Sequence, residues 1–242
     1  MGLLGGTLPA SIYVNDDAPA DPGPRDPNLS DPNEDGSTQH PFDEIQEAID
    51  VAQKGDTIVV RPGTYLTRDP WAYAELRFRG KSIRLVSEIP TSLDMADHTI
   101  LRGVVIFDGI EDRNCLLQGF KIQNHNYGGI LGNKTQATIS HCIISGNGPC
   151  GATVLKDVRG QITNCVIVDN TTFHDCGVLP VASGCPTLLN CTIANNASGI
   201  AINCDDSPRI SQIVIHNCVI WNNQDNQQIR ISNTRQSTVI QI

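Results

Sequence analysis

Short apolar runs recur along the second half of the chain at a nearly constant spacing. Each run contains one residue, here called the anchor, that sets the register of the copies. The anchor is Phe120 in the first copy and a cysteine in the next four, namely Cys142, Cys165, Cys191 and Cys218. An isoleucine follows two residues after every anchor, and successive anchors are 22, 23, 26 and 27 residues apart. Each copy also contains a second short run, such as GGILG or GIAIN. Several short strands per copy, with no helix between them, predict the coils of a parallel β-solenoid.

The residues around each anchor predict which side chains face the core. In a parallel β-helix, equivalent residues of successive coils stack about 4.8 Å apart and form columns along the axis. Ile162 lies three residues before Cys165 and Ile167 lies two residues after it, so strict alternation breaks between them. The break predicts a bend at or near Asn164, because asparagine tolerates the backbone of such bends. We therefore predict that the cysteines and isoleucines line the core.

The same register gives the asparagines a role. The copies NCVIVDN, NCTIANN and NCVIWNN each begin with an asparagine directly before the anchor cysteine. Amide side chains that stack at the coil spacing can hydrogen bond to one another along the axis. We expect these asparagines to form such a ladder, and we expect His141 to occupy the same position in its own coil.

The first half of the chain contains one helical pattern. Apolar residues recur at three- and four-residue spacing from Phe42 to Ala52, and Gly55 follows. This pattern predicts an amphipathic α-helix over about residues 41–54 that ends at a glycine C-cap. A solenoid needs an element that covers the apolar cross-section and the strand edges of its first coil. We predict that this helix is that N-terminal cap.

The domain organisation follows from these patterns. We predict one β-helix domain over residues 12–242, with coils from about residue 56 to residue 242, and a leader or a cloning remnant over residues 1–11. The last residues, TVIQI, still have the pattern of a strand. We therefore expect further coils of a longer protein, or another subunit, to cover the C-terminal end.

Charge and hydropathy exclude some partners. The net charge is −9, and residues 1–114 contain 20 acidic and 10 basic side chains, against 6 and 7 in the rest of the chain. Without a basic groove, nucleic acid is not an expected partner. An anionic polysaccharide would be repelled by the first half unless a cation such as calcium intervened. The chain also lacks an apolar stretch of 18 residues, which argues against a membrane span.

Nine cysteines indicate an oxidising compartment and leave at least one thiol unpaired. The anchor cysteines stack at a spacing too long for a disulfide, and burial raises a thiol pKa and so disfavours zinc, which leaves small buried side chains as the interpretation. Four other cysteines lie near equivalent turns. The register predicts two disulfides there, Cys150 to Cys176 and Cys185 to Cys204.

The chain resembles the right-handed parallel β-helix proteins of the pectate lyase-like superfamily, especially the large secreted or surface proteins of bacteria. The resemblance runs through DGSTQHPFDEIQEAIDVAQKGDTIVVRPGTY, RGKSIRLVSE, CLLQGFKIQN and the NCxI repeats, over most of residues 12–242. It implies an all-β, right-handed parallel β-helix. It implies little about activity, because that fold carries lyases, hydrolases, epimerases and adhesive or structural proteins.

Catalytic residues are suggested by one segment, INCDDSPRI. Its Asp205 and Asp206 are similar to the paired aspartates of polygalacturonase-type glycosidases, with Asp169 and Asp175 as further carboxylates, although the NTD, GHG and RIK segments of that family are missing. A pectate lyase-like mechanism would instead need calcium and a basic residue such as Arg209. Solvated turn residues are the alternative interpretation of this segment.

Two further sets of residues suggest ligands. In DPNEDG, Asp31, Asn33 and Asp35 have the spacing of calcium-loop ligands, but Phe42 stands where the final glutamate belongs, so Asp43 or Glu44 would have to substitute. Three aromatic residues are candidates for stacking on sugar rings, Trp71, Tyr73 and Trp221. The alternative is packing beneath a side loop or, for Trp221, contact with a further C-terminal portion of the protein.

We therefore expect a secreted or cell-surface β-helix protein that recognises polysaccharide along the side of the solenoid, with calcium as its one suggested cofactor. The alternatives are a carbohydrate-active enzyme, either a calcium-dependent lyase or a glycosidase, and a structural spacer of a larger surface protein.

Overall fold

The computed structural model describes residues 10–16, 33–66, 75–123, 128–148, 153–156, 159–171, 179–182, 186–203, 212–224, 228–232 and 239–241. In chain order the first elements are β1 (Ser11–Val14), α1 (Ile45–Val51), β2 (Thr57–Val60), β3 (Gly63–Leu66), β4 (Glu75–Arg77), β5 (Arg84–Ser87), α2 (Leu93–Ala96), β6 (Thr99–Arg102) and β7 (Val104–Phe107).

Strands alone follow in the described part of the second half. They are β8 (Leu116–Gln118), β9 (Lys121–Gln123), β10 (Ile130–Asn133), β11 (Thr138–Ser140), β12 (Ile143–Ser145), β13 (Thr153–Lys156), β14 (Gln161–Thr163), β15 (Val166–Val168), β16 (Leu179–Ala182), β17 (Thr187–Leu189), β18 (Thr192–Ala194), β19 (Ile200–Asn203), β20 (Gln212–His216), β21 (Val219–Trp221), β22 (Ile229–Ser232) and β23 (Val239–Gln241).

The strands form three parallel sheets of nine, seven and seven strands, and a complete coil contributes one strand to each sheet. The first sheet has the order β1-β2-β5-β8-β11-β14-β17-β20-β23, the second β3-β6-β9-β12-β15-β18-β21 and the third β4-β7-β10-β13-β16-β19-β22. Successive strands of a sheet are one coil apart in the sequence and pair in parallel. The predicted all-β solenoid is therefore confirmed, and the strand predicted in TVIQI is β23.

The predicted core columns are also confirmed. Ile144, Ile167, Ile193 and Ile220 are direct neighbours in the second sheet, and the first three are fully buried. A parallel column of buried apolar residues, Ile139, Ile162, Leu188 and Ile215, lies in the first sheet. Burying each such side chain contributes about 2 kcal/mol to folding before entropy is counted.

The predicted bend lies at the residue before each anchor. Asn164, Asn190 and Asn217 have φ of 55°, 54° and 52°, and His141 has φ of 51°. These values lie in the left-handed region, which asparagine tolerates better than most residues. A second left-handed bend lies four residues after each cysteine anchor, and sequence reasoning missed it: Gly146, Asp169, Asn195 and Asn222.

A second asparagine ladder lies inside the core, next to that second bend. We call it the inner ladder, and it consists of Asn147, Asn170, Asn196 and Asn223. Each Nδ2 donates to the Oδ1 of the next coil at 2.8, 2.9 and 3.0 Å, and the last donates to Gln228 Oε1 at 2.7 Å. Each Nδ2 also donates to a backbone carbonyl of the preceding coil at 2.9 to 3.2 Å. The inner ladder is a buried polar column in an otherwise apolar core.

The predicted N-terminal helix exists but is shorter, and its end differs from the prediction. It covers Ile45–Val51, and its C-cap is Ala52 with φ of −58°, so the predicted Gly55 cap is wrong. The ammonium of Lys81 donates to the carbonyls of Ile49, Asp50 and Ala52 at 2.7 to 2.9 Å. A cation at the C-terminus suits the free carbonyls and the helix dipole. The role of this helix as a cap of the solenoid stays a prediction.

Phe42, which was predicted to lie in the helix, instead forms a parallel bridge with Val14 at the end of β1. The second helix, α2, was not predicted. It is a single turn whose N-cap, Ser92, accepts the Met95 N–H through its side chain at 3.3 Å. Neither described helix has the length and apolar character that crossing a bilayer would require.

Candidate functional site

Trp221 is the most exposed large apolar side chain on the outward face of the second sheet, among the described residues. In β21 the core residue Ile220 points inward, so its neighbours point outward: Val219 is 58% exposed and Trp221 is 71% exposed. An indole exposed to this degree is unusual for a side chain whose burial would be worth several kcal/mol. The prediction that Trp221 faces outward is confirmed.

The same face extends over three further coils. Trp221 is next to Ala194, which is next to Val168 and then Ser145. Val219 heads a second outward row, which continues through Thr192, Val166 and Ile143. We call these two rows, from β12 to β21, the outer face. At its described positions the outer face is apolar or weakly polar and carries no charged side chain.

Amide side chains border the outer face on one edge. This outer ladder is the predicted one, Asn164, Asn190 and Asn217, and its last two members are exposed. Asn190 Nδ2 donates to Asn164 Oδ1 at 3.1 Å, and Asn217 Nδ2 donates to Asn190 Oδ1 at 2.7 Å. The ladder is therefore confirmed. An amide has two N–H donors and an oxygen with two lone pairs, so stacking leaves part of its hydrogen-bonding capacity toward solvent.

The opposite edge follows the second bend. Asp169, Asn195 and Asn222 are all exposed there, and Asn222 Nδ2 donates to Asn195 Oδ1 at 2.8 Å. A strip of apolar side chains thus lies between two lines of hydrogen-bonding groups. Such a strip can bind an elongated ligand that has apolar faces and polar edges.

A pair of charged side chains lies beyond the N-terminal end of the outer face. Lys121, the neighbour of Ile143 in β9, pairs with Asp97 at 2.6 Å. The hydrogen bond from Lys121 lowers the pKa of Asp97. Both side chains are partly exposed, so this pair contributes little to stability.

A polar cluster of another kind lies on the first sheet. His141 Nδ1 is 2.7 Å from Ser140 Oγ, to which Thr163 Oγ1 donates at 3.0 Å. Gln118 Nε2 is 3.4 Å from the same imidazole nitrogen. The histidine thus occupies the asparagine position of its coil, as predicted, and its imidazole nitrogen contacts Ser140 in its own coil and Gln118 in the preceding coil.

Carboxylates come together near the N-terminal helix. Oxygens of Glu34, Asp43 and Glu47 lie within 4.8 Å of one another, and all three residues are partly buried. Of the predicted calcium ligands, Asp35 accepts the Ser37 N–H at 2.8 Å, Asn33 lies in the same loop and Asp31 lies outside the described residues. Oxygen ligands of this type suit calcium, and a calcium site at the predicted residues stays a prediction.

The anchor cysteines form a column of free thiols, Cys142, Cys165, Cys191 and Cys218, of which the first three are buried. Each Sγ lies 3.3 Å from the carbonyl two residues before it, so all four side chains have the same orientation. This confirms that the column is part of the core wall.

The thiols of the column differ in acidity. Hydrogen bonding with the Cys165 side chain, opposed by burial, lowers the pKa of Cys191 to about 7. Burial raises the pKa of Cys165 well above its usual value and also raises that of Cys218. The expectation that the apolar wall raises a thiol pKa agrees with Cys165 and Cys218. At Cys142 burial is outweighed by hydrogen bonds with Cys165 and with the backbone, and the pKa is lowered there as at Cys191.

A family model described as the right handed beta helix region matches residues 103–241, more than half of the chain. The chain belongs to this right-handed β-helix family. The match covers all four cysteine anchors and the outer face. It confirms the fold implied by the sequence resemblance, including the hand of the helix.

Solved structures also resemble this right-handed β-helix protein. The pectin methylesterase from Aspergillus niger is similar with a TM-score of 0.53 and 12% identity, over 84% of this chain and 68% of the enzyme. Pectate lyase Pel9A is similar with a TM-score of 0.40 and 11% identity, over 97% of this chain and 80% of the lyase. At these identities the likeness concerns the fold. A comparison with curated protein sequences gave no match.

Most other predicted site residues of this right-handed β-helix protein lie outside the described residues and stay predictions. These are the catalytic candidates Asp205, Asp206 and Arg209, their possible partner Asp175, the aromatics Trp71 and Tyr73, and the disulfide candidates Cys150, Cys176, Cys185 and Cys204. Asp169 is described and lies at the edge of the outer face. Sequence reasoning found Trp221 and the outer ladder, but it missed the second line of amides. The pair of polar residues that ends each repeat, such as Asn222 with Asn223, was the available signal.

Proposed function

We propose that this chain is a secreted or cell-surface β-helix protein that recognises a polysaccharide along the side of its solenoid, on the outer face. The observation that carries the proposal is Trp221, 71% exposed on a strand that lies between two lines of asparagine amides. Aromatic rings stack on the apolar faces of sugar rings, while amides exchange hydrogen bonds with sugar hydroxyls.

The repetition of the face favours a polymer over a small molecule. The outward rows continue in register over four coils, from Ile143 to Val219 and from Ser145 to Trp221. Coils are about 4.8 Å apart, so four coils present a straight, open strip rather than a closed pocket. A strip of this kind can bind successive units of an extended chain.

Charge favours a neutral polysaccharide. The described outer face carries no charged side chain, and the one acid at its edge, Asp169, would repel an anionic sugar. The excess of acidic side chains in residues 1–114 would also repel an anionic polysaccharide. An acidic polysaccharide would need a bridging cation such as calcium.

The name of the similar fungal protein supports a polysaccharide ligand in a general way. The Aspergillus niger protein is a pectin methylesterase, and its fold covers 84% of this chain. The shared fold alone does not transfer an activity. The likeness to a protein named for pectin supports a polysaccharide ligand, and it does not indicate which sugar is bound.

Binding to a panel of neutral and acidic polysaccharides, with and without calcium, tests the proposal. Affinity electrophoresis measures binding, and ultraviolet absorbance detects the unsaturated products of a lyase. We expect binding of a neutral polysaccharide without product, and we expect Trp221→Ala to weaken it at least tenfold, which corresponds to about 1.4 kcal/mol.

The matched control is Ile110→Ala, which removes another exposed apolar side chain, 82% exposed, from the loop after β7. It should leave binding unchanged. Equal binding by wild type and Trp221→Ala would contradict the proposed face. Product formation that is lost on replacing Asp205, Asp206 or Arg209 would favour the enzyme, and an absence of both signals would favour a structural spacer.

A further inference from the structure

We propose that the C-terminal part of the cysteine column, Cys191 with Cys218, is a binding site for a soft monovalent metal ion such as Cu(I) or Ag(I), held between the two sulfurs. This site is separate from the outer face and does not depend on the proposed function. It rests on the geometry of the column.

The two sulfurs are aligned along the solenoid axis. Cys191 Sγ lies 3.3 Å from the Leu189 carbonyl, and Cys218 Sγ lies 3.3 Å from the His216 carbonyl, so both side chains have the same orientation in adjacent coils. The Cys191 N–H donates to Cys218 Sγ at 3.4 Å, which fixes that sulfur beneath the neighbouring coil.

The spacing suits two-coordinate binding. Equivalent atoms of stacked coils are about 4.8 Å apart. An ion between two thiolates spans about twice a metal–sulfur bond of about 2.3 Å, or about 4.6 Å. A column therefore offers each ion two sulfurs, one above and one below, and it does not offer the four tetrahedral ligands that a structural zinc site requires. Soft thiolate ligands select Cu(I) among the first-row metals.

Access distinguishes this pair from the rest of the column. Cys142, Cys165 and Cys191 are buried, whereas Cys218 is partly exposed. An ion can therefore reach the sulfur of Cys218 first and bridge to Cys191. Binding replaces the two thiol protons by one metal ion: two thiols and one monovalent cation give one dithiolate complex and two released protons, with no change in oxidation state.

The test is anaerobic titration of the fully reduced protein with Cu(I), in competition with a chromophoric Cu(I) chelator, followed by X-ray absorption at the copper edge. We expect one tightly held ion with two sulfur ligands. Cys191→Ala and Cys218→Ala should each weaken this binding at least tenfold. The other cysteines are present in the wild type and in both of these variants, so their contribution to copper binding is the same in the three proteins.

The matched control is Cys115→Ala, which removes a buried free thiol outside the column and should leave the affinity unchanged. Cys218 is only partly buried, so its alanine variant should fold, and circular dichroism checks this. Alkylation mapped by mass spectrometry gives a second readout, in which one equivalent of Ag(I) should protect Cys218. Unchanged Cu(I) affinity in Cys218→Ala, a copper site rich in nitrogen or oxygen, or no protection of Cys218 would overturn the proposal.

Discussion

The inner and outer ladders are built from the same residue at the same spacing, yet they differ in what surrounds them. Asn196 in the inner ladder is fully buried, and its side chain makes hydrogen bonds to Asn170, Asn223 and a backbone carbonyl. Asn190 in the outer ladder is exposed, and among the described contacts its side chain hydrogen bonds only to its ladder neighbours, Asn164 and Asn217.

This difference shows that stacking alone does not decide what an asparagine column does. A buried amide that loses a partner leaves polar groups unsatisfied in a dry environment, whereas an exposed amide exchanges its partner for water. The inner ladder should therefore stabilise the fold. The outer ladder can serve a ligand at little cost in stability.

The largest expected effect is that of Asn196→Ala in the inner ladder. The change removes the acceptor of the Asn170 N–H and of Asn170 Nδ2, together with the donor to the Ile167 carbonyl. We expect the free energy of unfolding to fall by about 3 kcal/mol, since buried partners are left unsatisfied. Urea unfolding followed by circular dichroism measures it, and a loss below about 1 kcal/mol would show that water replaces the amide.

A smaller effect is expected for Asn190→Gly in the outer ladder. Glycine accepts the left-handed backbone there, φ of 54°, so the change removes the amide without strain. We expect the same urea measurement to change by less than about 1 kcal/mol. Binding of the polysaccharide should nevertheless weaken severalfold. A destabilisation as large as that of Asn196→Ala would remove the distinction between the two ladders.

The smallest expected effect is the loss of stability at low pH. Neither ladder titrates, so the stability of both should be insensitive to pH, and carboxylates outside them should account for acid unfolding. A hydrogen bond from Lys54, at 2.7 Å, lowers the pKa of Asp112 to about 2. Because the folded pKa is depressed, this stabilisation is complete above the unfolded value of about 3.9 and is lost as pH falls toward 2.

Urea unfolding at a series of pH values between 5 and 2 measures that loss. We expect it to be small, because ion pairs at the surface contribute little to stability. Asp112→Asn should make the free energy of unfolding depend less steeply on pH in this range. Lys54→Met should reduce this dependence less, because the Asn114 N–H still donates to the Asp112 carboxylate. An unchanged slope in Asp112→Asn would show that this carboxyl titrates alike in the folded and unfolded chain.

The sequence was sufficient for the features that depend on the coil period. Cys165, Ile167 and the bend at Asn164 could be assigned because each recurs at equivalent positions in several coils. The inner ladder was missed for a physical reason: Asn170 follows an exposed Asp169, and polar residues in a row are usually a solvated turn. Only the stacking of coils provides its buried partners.

The errors near the helix had a different origin. Phe42 continues the helical spacing, but it pairs with Val14, which lies 28 residues earlier, and the helix ends at carbonyls held by Lys81, about 30 residues later. Contacts of this kind depend on tertiary packing, which overrides local propensity. The outer face was predicted in part, since the outward direction of Trp221 follows from Ile220, whereas the second line of amides follows from a bend that the pattern did not reveal.

The inner ladder also bears on how the chain avoids misfolding. All of its amides donate in one direction, from Asn147 toward Gln228. A coil that docked out of register would move its asparagine Oδ1 away from the preceding amide, and a buried amide left without its acceptor costs about 1–3 kcal/mol. Contacts within the apolar columns are not directional in this way, because the hydrophobic effect depends on the area removed from water and not on the alignment of particular atoms. The asparagines therefore act as a register check during folding, which lets a repetitive chain with many similar coils reach a single stacking order.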